Sequence, residues 1–243
     1  MKIATTLKRA GEALASLIFP PHCANCGADT VGGVQLCAAC AGLAKKIVAP
    51  FCQRCSQPFD GAIVGAFTCA NCLGRTLHFD CAVACYLSRG VVREFVHRFK
   101  YDRHFYLRHP LAEWLAETFD DERIRAQPIA TLVPVPLHSA RFREREFNQA
   151  DVLAEMLARR TGTPLLRALQ RIRYTTTQTR LDRHERMENL HNAFRVRHNA
   201  NVQNRHLVLV DDIFTTGSTV DECARVLRAA GAASVRVVTV ARG

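Results

Sequence analysis

The chain has 243 residues, 48% hydrophobic and 23% charged, a length that fits one domain with an appendage or two small domains, and a composition that supplies a core and excludes collagen-like or disordered chains. No apolar run approaches the roughly 18 residues of a membrane helix, so no membrane span is expected. The net charge of +11 favours anionic partners: nucleic acid, phosphates or an acidic membrane surface.

Residues 1–22 read as a short amphipathic helix. Lys8, Arg9 and Glu12 interrupt the stretch from Met1 to Phe19, and Pro20 and Pro21 end it. This is not the pattern of an export signal, so a reducing cytoplasm is the expected location, where thiols stay available for metal.

Eight of the eleven cysteines then fall in four Cys-x-x-Cys pairs: Cys23/Cys26, Cys37/Cys40, Cys52/Cys55 and Cys69/Cys72. A tight turn brings both sulfurs of a pair to one side, and two such turns complete a tetrahedral zinc site. Residues 23–78 therefore read as a double zinc ribbon that holds one or two structural Zn²⁺ ions. Sequential pairing gives two four-cysteine sites, and cross-braced pairing is the alternative. Cys81, Cys85 and Cys223 lack such spacing and read as small buried hydrophobes, and His22 and His78 as surface residues. Ribbons of this type bind nucleic acid, proteins or only their metal.

Residues 79–243 change character. Val91 to Phe99, Leu111 to Phe119 and Phe147 to Arg160 carry apolar residues at helical spacing, Thr131 to Val135 is strand-like, and Leu165 to Leu169 reads as a short strand. Gln170 to His191 lacks a periodic face and reads as a mobile arm. A strand at Leu207 to Val210, a helix at Val220 to Ala230 that ends at Gly231, and a strand at Ser234 to Val240 complete the series. Strands separated by helices imply βαβ units, hence an α/β fold with a Rossmann-like parallel sheet.

The segment from Leu207 to Thr219 carries the chemistry. A buried strand leads into Asp211 and Asp212, and a hydroxyl-rich turn opens a helix. Backbone amides from Thr215 through Thr216, Gly217 and Ser218 to Thr219 form a nest for a phosphate, with Gly217 permitting close approach. The two carboxylates accept hydrogen bonds from ribose hydroxyls at the carboxyl end of the sheet. Together they describe a ribose 5-phosphate site. A Walker loop would need a lysine before the Ser or Thr, and a dinucleotide fingerprint would need three glycines. Neither Asp reads as the helix N-cap, which Ser218 or Thr219 fills better.

This string resembles the phosphoribosyl diphosphate signature of type I phosphoribosyltransferases. From about Cys23 to its end, the chain resembles the ComF (GntX-like) family, a double zinc ribbon fused to such a domain. The match includes Phe99-Lys100-Tyr101, Val133-Pro134-Val135-Pro136-Leu137, Arg145 with Phe147-Asn148-Gln149, and Gln178 with Arg186, Asn189 and Phe194. Glu146 departs from the pattern by standing where the family usually has glycine, and a carboxylate there would weaken a diphosphate contact.

The resemblance implies a type I phosphoribosyltransferase domain with a diphosphate loop at Pro136 to Arg141 and a hood at Gln170 to His191. It implies that Arg141 and Arg145 contact diphosphate, joined from the hood by Arg171, Arg173 and Arg186. Phosphoribosyl diphosphate would arrive with Mg²⁺, and phosphoribosyl transfer would pass through an oxocarbenium-like state stabilised by Asp211 and Asp212. Three readings follow: a competence protein that handles incoming single-stranded DNA beside DNA-uptake proteins, a salvage phosphoribosyltransferase for a free nucleobase, or a non-catalytic phosphoribosyl diphosphate sensor. Homodimerisation is expected by analogy with related folds.

Overall fold

The computed structural model describes residues 22–30, 36–63, 65–173 and 190–243. The N-terminal helix expected at 1–22 lies, but for residue 22, outside them, as do residues 174–189 of the expected arm. The chain forms two compact units, Met1–Ala44 and Lys45–Gly243. The composition changes near residue 78, whereas the compact units divide at residue 44.

The smaller unit carries the first cysteine pairs. Gly27, at φ +75°, turns the chain so that its amide donates to the Cys23 carbonyl (2.9 Å) while the Cys23 amide donates to Ala28 (2.7 Å). A short helix α1 (Ala38–Gly42) follows, with Cys37 at its N-cap and Cys40 buried within it.

The larger unit is built on four parallel strands in the order β1 (Ala82–Leu87), β6 (Ser234–Arg242), β5 (His206–Phe214) and β2 (Thr131–Pro134). β5 and β6 are central, and every residue of β6 is buried. Their Val- and Leu-rich runs are what a strand covered on both faces requires. Between β1 and β2 lie α2 (Gly90–Tyr101), α3 (Arg108–Ala116) and α4 (Glu122–Arg125). α5 (Ser139–Arg145), α6 (Gln149–Thr161) and the antiparallel pair β3 (Leu169–Arg171) and β4 (Phe194–Val196) precede β5. α7 (Ser218–Ala229) joins β5 to β6 and buries Val220, Cys223, Ala224 and Leu227 at three- and four-residue spacing. Because the sheet is parallel, the loops after all four strands open at one end, where open α/β sheets bind ligands. Among the described residues no helix is long and apolar enough to cross a membrane.

Several elements differ from the sequence reading. The strand expected at Leu165 to Leu169 begins only at Leu169, and Leu165 makes a single bridge to Leu132. The expected diphosphate loop at Pro136 to Arg141 runs into α5, which His138 caps by accepting from the Ala140 amide at 3.2 Å. Arg141 therefore stands on a helix. The acidic pair does not end β5, which continues to Phe214. The N-cap of α7 is Gly217, not Ser218 or Thr219, at φ +79°.

Candidate ribose phosphate site and zinc centres

The cysteines assort sequentially, Cys23, Cys26, Cys37 and Cys40 in one set and Cys52, Cys55, Cys69 and Cys72 in the other, with the sulfurs of each set within 4.8 Å of one another. Cys26 and Cys37 Sγ are 3.8 Å apart, and Cys55 and Cys69 Sγ 3.6 Å. Four sulfurs about 2.3 Å from a common centre have such separations, so both sets fit tetrahedral structural zinc. The hydrogen bond between Cys52 and Cys55 lowers the Cys52 thiol and raises that of Cys55.

The second set belongs to the α/β core. Its four cysteines are buried with Phe79, Val135, Phe214 and the apolar face of α7. Ser56, in a left-handed turn like that of Gly27, donates its hydroxyl to the Ala82 carbonyl at the start of β1 (2.9 Å), and the Ala82 amide donates to the Arg54 carbonyl (2.8 Å). Arg123 of α4 reaches the same turn through the Gln53 carbonyl and Ser56 Oγ, at 3.2 and 3.0 Å. His78, read from sequence as a surface residue, is half-buried and places Nδ1 3.3 Å from Oδ2 of buried Asp221 on α7, which also accepts the His78 amide at 2.7 Å. Cys81 and Cys223 are buried and Cys85 is half-buried; burial pushes the Cys81 thiol up to about 11 and that of Cys85 to about 12.

At the carboxyl end of β5, Asp211 is half-buried and Asp212 buried. Each carboxylate accepts from the next backbone amide, Asp211 from Asp212 (2.9 Å) and Asp212 from Ile213 (2.7 Å). Burial first, and then the neighbouring charge of Asp212, raise Asp211 to about 7. Lys100 of α2 opposes that rise, its Nζ lying 2.6 Å from Asp212 Oδ2 in a largely buried ion pair. Sequence reading found Phe99-Lys100-Tyr101 but gave Lys100 no role; a lysine beside the buried Phe99 in an amphipathic helix was the available signal.

Thr215, Thr216 and Gly217 make the turn, and Ser218 and Thr219 open α7, whose first amides have no partners within the helix. Thr216 Oγ1 and Ser218 Oγ are 3.0 Å apart. Gly217 is required by its left-handed φ and because a β-carbon there would meet the Phe214 ring. The close approach that excludes a side chain at Gly217 is therefore that of Phe214. Beside the turn a cavity of about 280 Å³ is lined by Thr215, Thr216, Phe214, Asn71, Arg75 and Arg242.

The arginines separate into two groups. Arg171 on β3 is held below its ordinary value chiefly by burial, with the charge of Arg141 lowering it and Asp211 opposing, so Arg141, Arg171 and Asp211 share one electrostatic neighbourhood. Arg145 instead stacks over Tyr101 (4.8 Å from the ring centroid), donates to the Tyr101 hydroxyl (3.1 Å) and donates to Gln149 Oε1 (3.2 Å). Arg173 donates to the His191 carbonyl at 3.0 Å. Arg186, Gln178 and Asn189 lie outside the described residues. Glu146, the departure from the family pattern, is the C-cap of α5 in a left-handed conformation at φ +67°, and its carboxylate pairs with exposed Arg103 at 3.0 Å. The geometry explains why glycine suits that position.

Two family models match this chain. Residues 14–76 match a double zinc ribbon domain, and residues 148–243 match a phosphoribosyl transferase domain. Competence protein F of Haemophilus influenzae is 33% identical over 84% of this chain and 90% of its own length. The DNA utilization protein YhgH of Salmonella typhi is 35% identical over 83% of this chain and 88% of its own. Competence protein ComFC of Bacillus subtilis is 29% identical over 86% of this chain and 84% of its own.

Proposed function

We infer the function of this chain from one premise: it belongs to the competence protein F (ComF) family, in which a double zinc ribbon precedes a phosphoribosyl transferase domain. It binds phosphoribosyl diphosphate at the carboxyl end of its sheet and serves the use of incoming DNA in the cytoplasm, handling it as single strands. The observation that carries this reading is the pairing of Asp211 and Asp212 with the hydroxyl-rich turn at the opening of α7, at the sheet end where ligands bind. The names of the relatives, competence and DNA utilization, favour DNA use over salvage of a free nucleobase.

In this reading the amides and hydroxyls from Thr215 to Thr219 cradle the 5-phosphate. Asp211 and Asp212 accept the ribose hydroxyls, and Arg141 and Arg171, which share the electrostatic neighbourhood of Asp211, meet the diphosphate. The two carboxylates are hard oxygen donors, the set Mg²⁺ takes, and Mg²⁺ bound with the ligand would offset diphosphate charge. Lys100 fills the cation's electrostatic role on Asp212 in the free protein. If the phosphoribosyl group is transferred, the same carboxylates face the positive charge that develops at the anomeric carbon.

The test is complementation in a naturally transformable strain that lacks its own family member. The wild-type chain restores transformation, and Asp211→Asn/Asp212→Asn does not. Full rescue by the double variant would sink the site-dependent reading.

A further inference from the structure

Most exposed aromatic side chains of a folded domain stand singly. Here several gather around the end of α2 and along α5. Tyr101, Phe105, Tyr106 and Phe142 are 52%, 37%, 44% and 49% exposed. α5 buries none of its residues, so its packing against the domain does not explain why Phe142 sits between Arg141 and Arg143. Residues 98–108 and 139–146 together hold seven Arg and Lys against three acidic residues.

Contacts tie these two segments into one surface. Arg145 covers Tyr101, Arg103 pairs with Glu146 at 3.0 Å, and the rings of Phe105 and Phe147 have centroids 4.5 Å apart. Tyr106 is held in place without being buried, its hydroxyl accepting from Arg98 at 2.9 Å and its ring stacked on His104 at 5.4 Å and 25°. Exposed rings with cations interleaved, Tyr101, Phe105 and Tyr106 among them held in orientation by these contacts, form a platform for unstacked bases whose backbone phosphates meet the arginines. Within α2, Lys100, which pairs with Asp212, directly precedes Tyr101.

We propose that this surface is where the protein binds single-stranded DNA, bases stacking on Tyr106 and Phe142 and phosphates meeting Arg103 and Arg143. The proposal rests on the DNA-use reading above and adds the surface. A duplex keeps its bases stacked inside and fits this platform poorly, and the exposed ring faces require no particular base, so binding is sequence-tolerant.

The test is fluorescence anisotropy of a labelled oligo(dT) over a range of salt with the full chain, zinc loaded. Tyr106→Ala and Phe142→Ala each weaken binding about 10-fold, and Tyr106→Phe recovers most of the loss, because its ring still stacks on His104. Arg103→Gln and Arg143→Gln each reduce the slope of log affinity against log salt by about 0.7. Binding of Mg·phosphoribosyl diphosphate to Tyr106→Ala matches wild type, which shows that the fold and the sheet-end site are intact. Wild-type affinity in all four variants overturns the surface while leaving DNA use standing, as does duplex binding as tight as oligo(dT). Tighter binding of oligo(rU) than of oligo(dT) overturns the choice of DNA. Failure of the wild-type chain to bind oligo(dT) overturns both the surface and the single-strand reading.

Discussion

Replacing Lys100 with methionine keeps the length of the side chain and removes its charge from Asp212 Oδ2, 2.6 Å away. The two side chains are 19% and 9% exposed. Breaking a fully buried ion pair costs about 3–5 kcal/mol, and the partial exposure of Lys100 reduces this to about 2–3 kcal/mol. For a unit of this size that is a melting-temperature loss of about 4–12 °C. The loss must depend on pH. Asp211 is raised to about 7 in the fold by burial and by Asp212, with Lys100 pulling it down, so without Lys100 it rises further. Above pH 7 the wild-type carboxyl is ionised while the variant still holds its proton, and the variant loses ground with each pH unit by as much as about 1.4 kcal/mol. Near pH 6 both hold the proton and the deficit is at its smallest. Thermal unfolding of both proteins at pH 6 and pH 8.5 measures this directly. Equal losses at the two pH values, or no loss at pH 8.5, would refute the electrostatic account and leave Lys100 a packing residue.

Asp211 itself gives a second pH prediction. Its folded-state value lies above its unfolded one, so its contribution to stability is present in acid and is lost as pH rises from about 4 to about 7. Asp211→Asn, which keeps the oxygen that accepts the Asp212 amide, therefore gains on wild type between pH 5.5 and pH 7.5, with a ceiling of about 1.4 kcal/mol per unit; a constant difference in melting temperature contradicts it. Glu146→Gly relieves a left-handed backbone costing about 1 kcal/mol and gives up an exposed ion pair worth about 0.5 kcal/mol. Glu146→Ala loses the pair and keeps the strain, so thermal unfolding ranks glycine above glutamate and glutamate above alanine. Removing zinc ligands acts unequally: Cys26→Ser lowers bound zinc from two ions to one, measured by atomic absorption, and leaves the melting of the α/β unit unchanged. Cys55→Ser, within the core beside Phe79 and Phe214, removes cooperative melting of that unit.

The central elements were legible because their signals are local. Val- and Leu-rich strands, α7 with its apolar stripe, and four Cys-x-x-Cys turns follow from spacing alone, and the sheet and both cysteine sets have the expected form. Contacts distant in sequence were not legible. Lys100 reaches Asp212 across 112 positions and His78 reaches Asp221 across 143, and no periodicity encodes either. The seating of the second cysteine set in the α/β core depends on Ser56, Arg54 and Arg123 meeting at β1, which composition does not reveal. α5 escaped because a run of charged residues around Phe142 carries no apolar stripe, so its start rests on the cap at His138. Glu146 was noticed as an unusual residue, and only the backbone angle gave the reason.

The most direct test of the account is a calorimetric titration of the zinc-loaded chain with phosphoribosyl diphosphate and Mg²⁺, beside Asp211→Asn/Asp212→Asn. One site per chain is expected in the wild type and none in the double variant, with thermal unfolding showing the variant folded. Equal binding by the two proteins, or no binding by the wild type, would contradict the assignment of the acidic pair and the α7 turn as the phosphoribosyl diphosphate site.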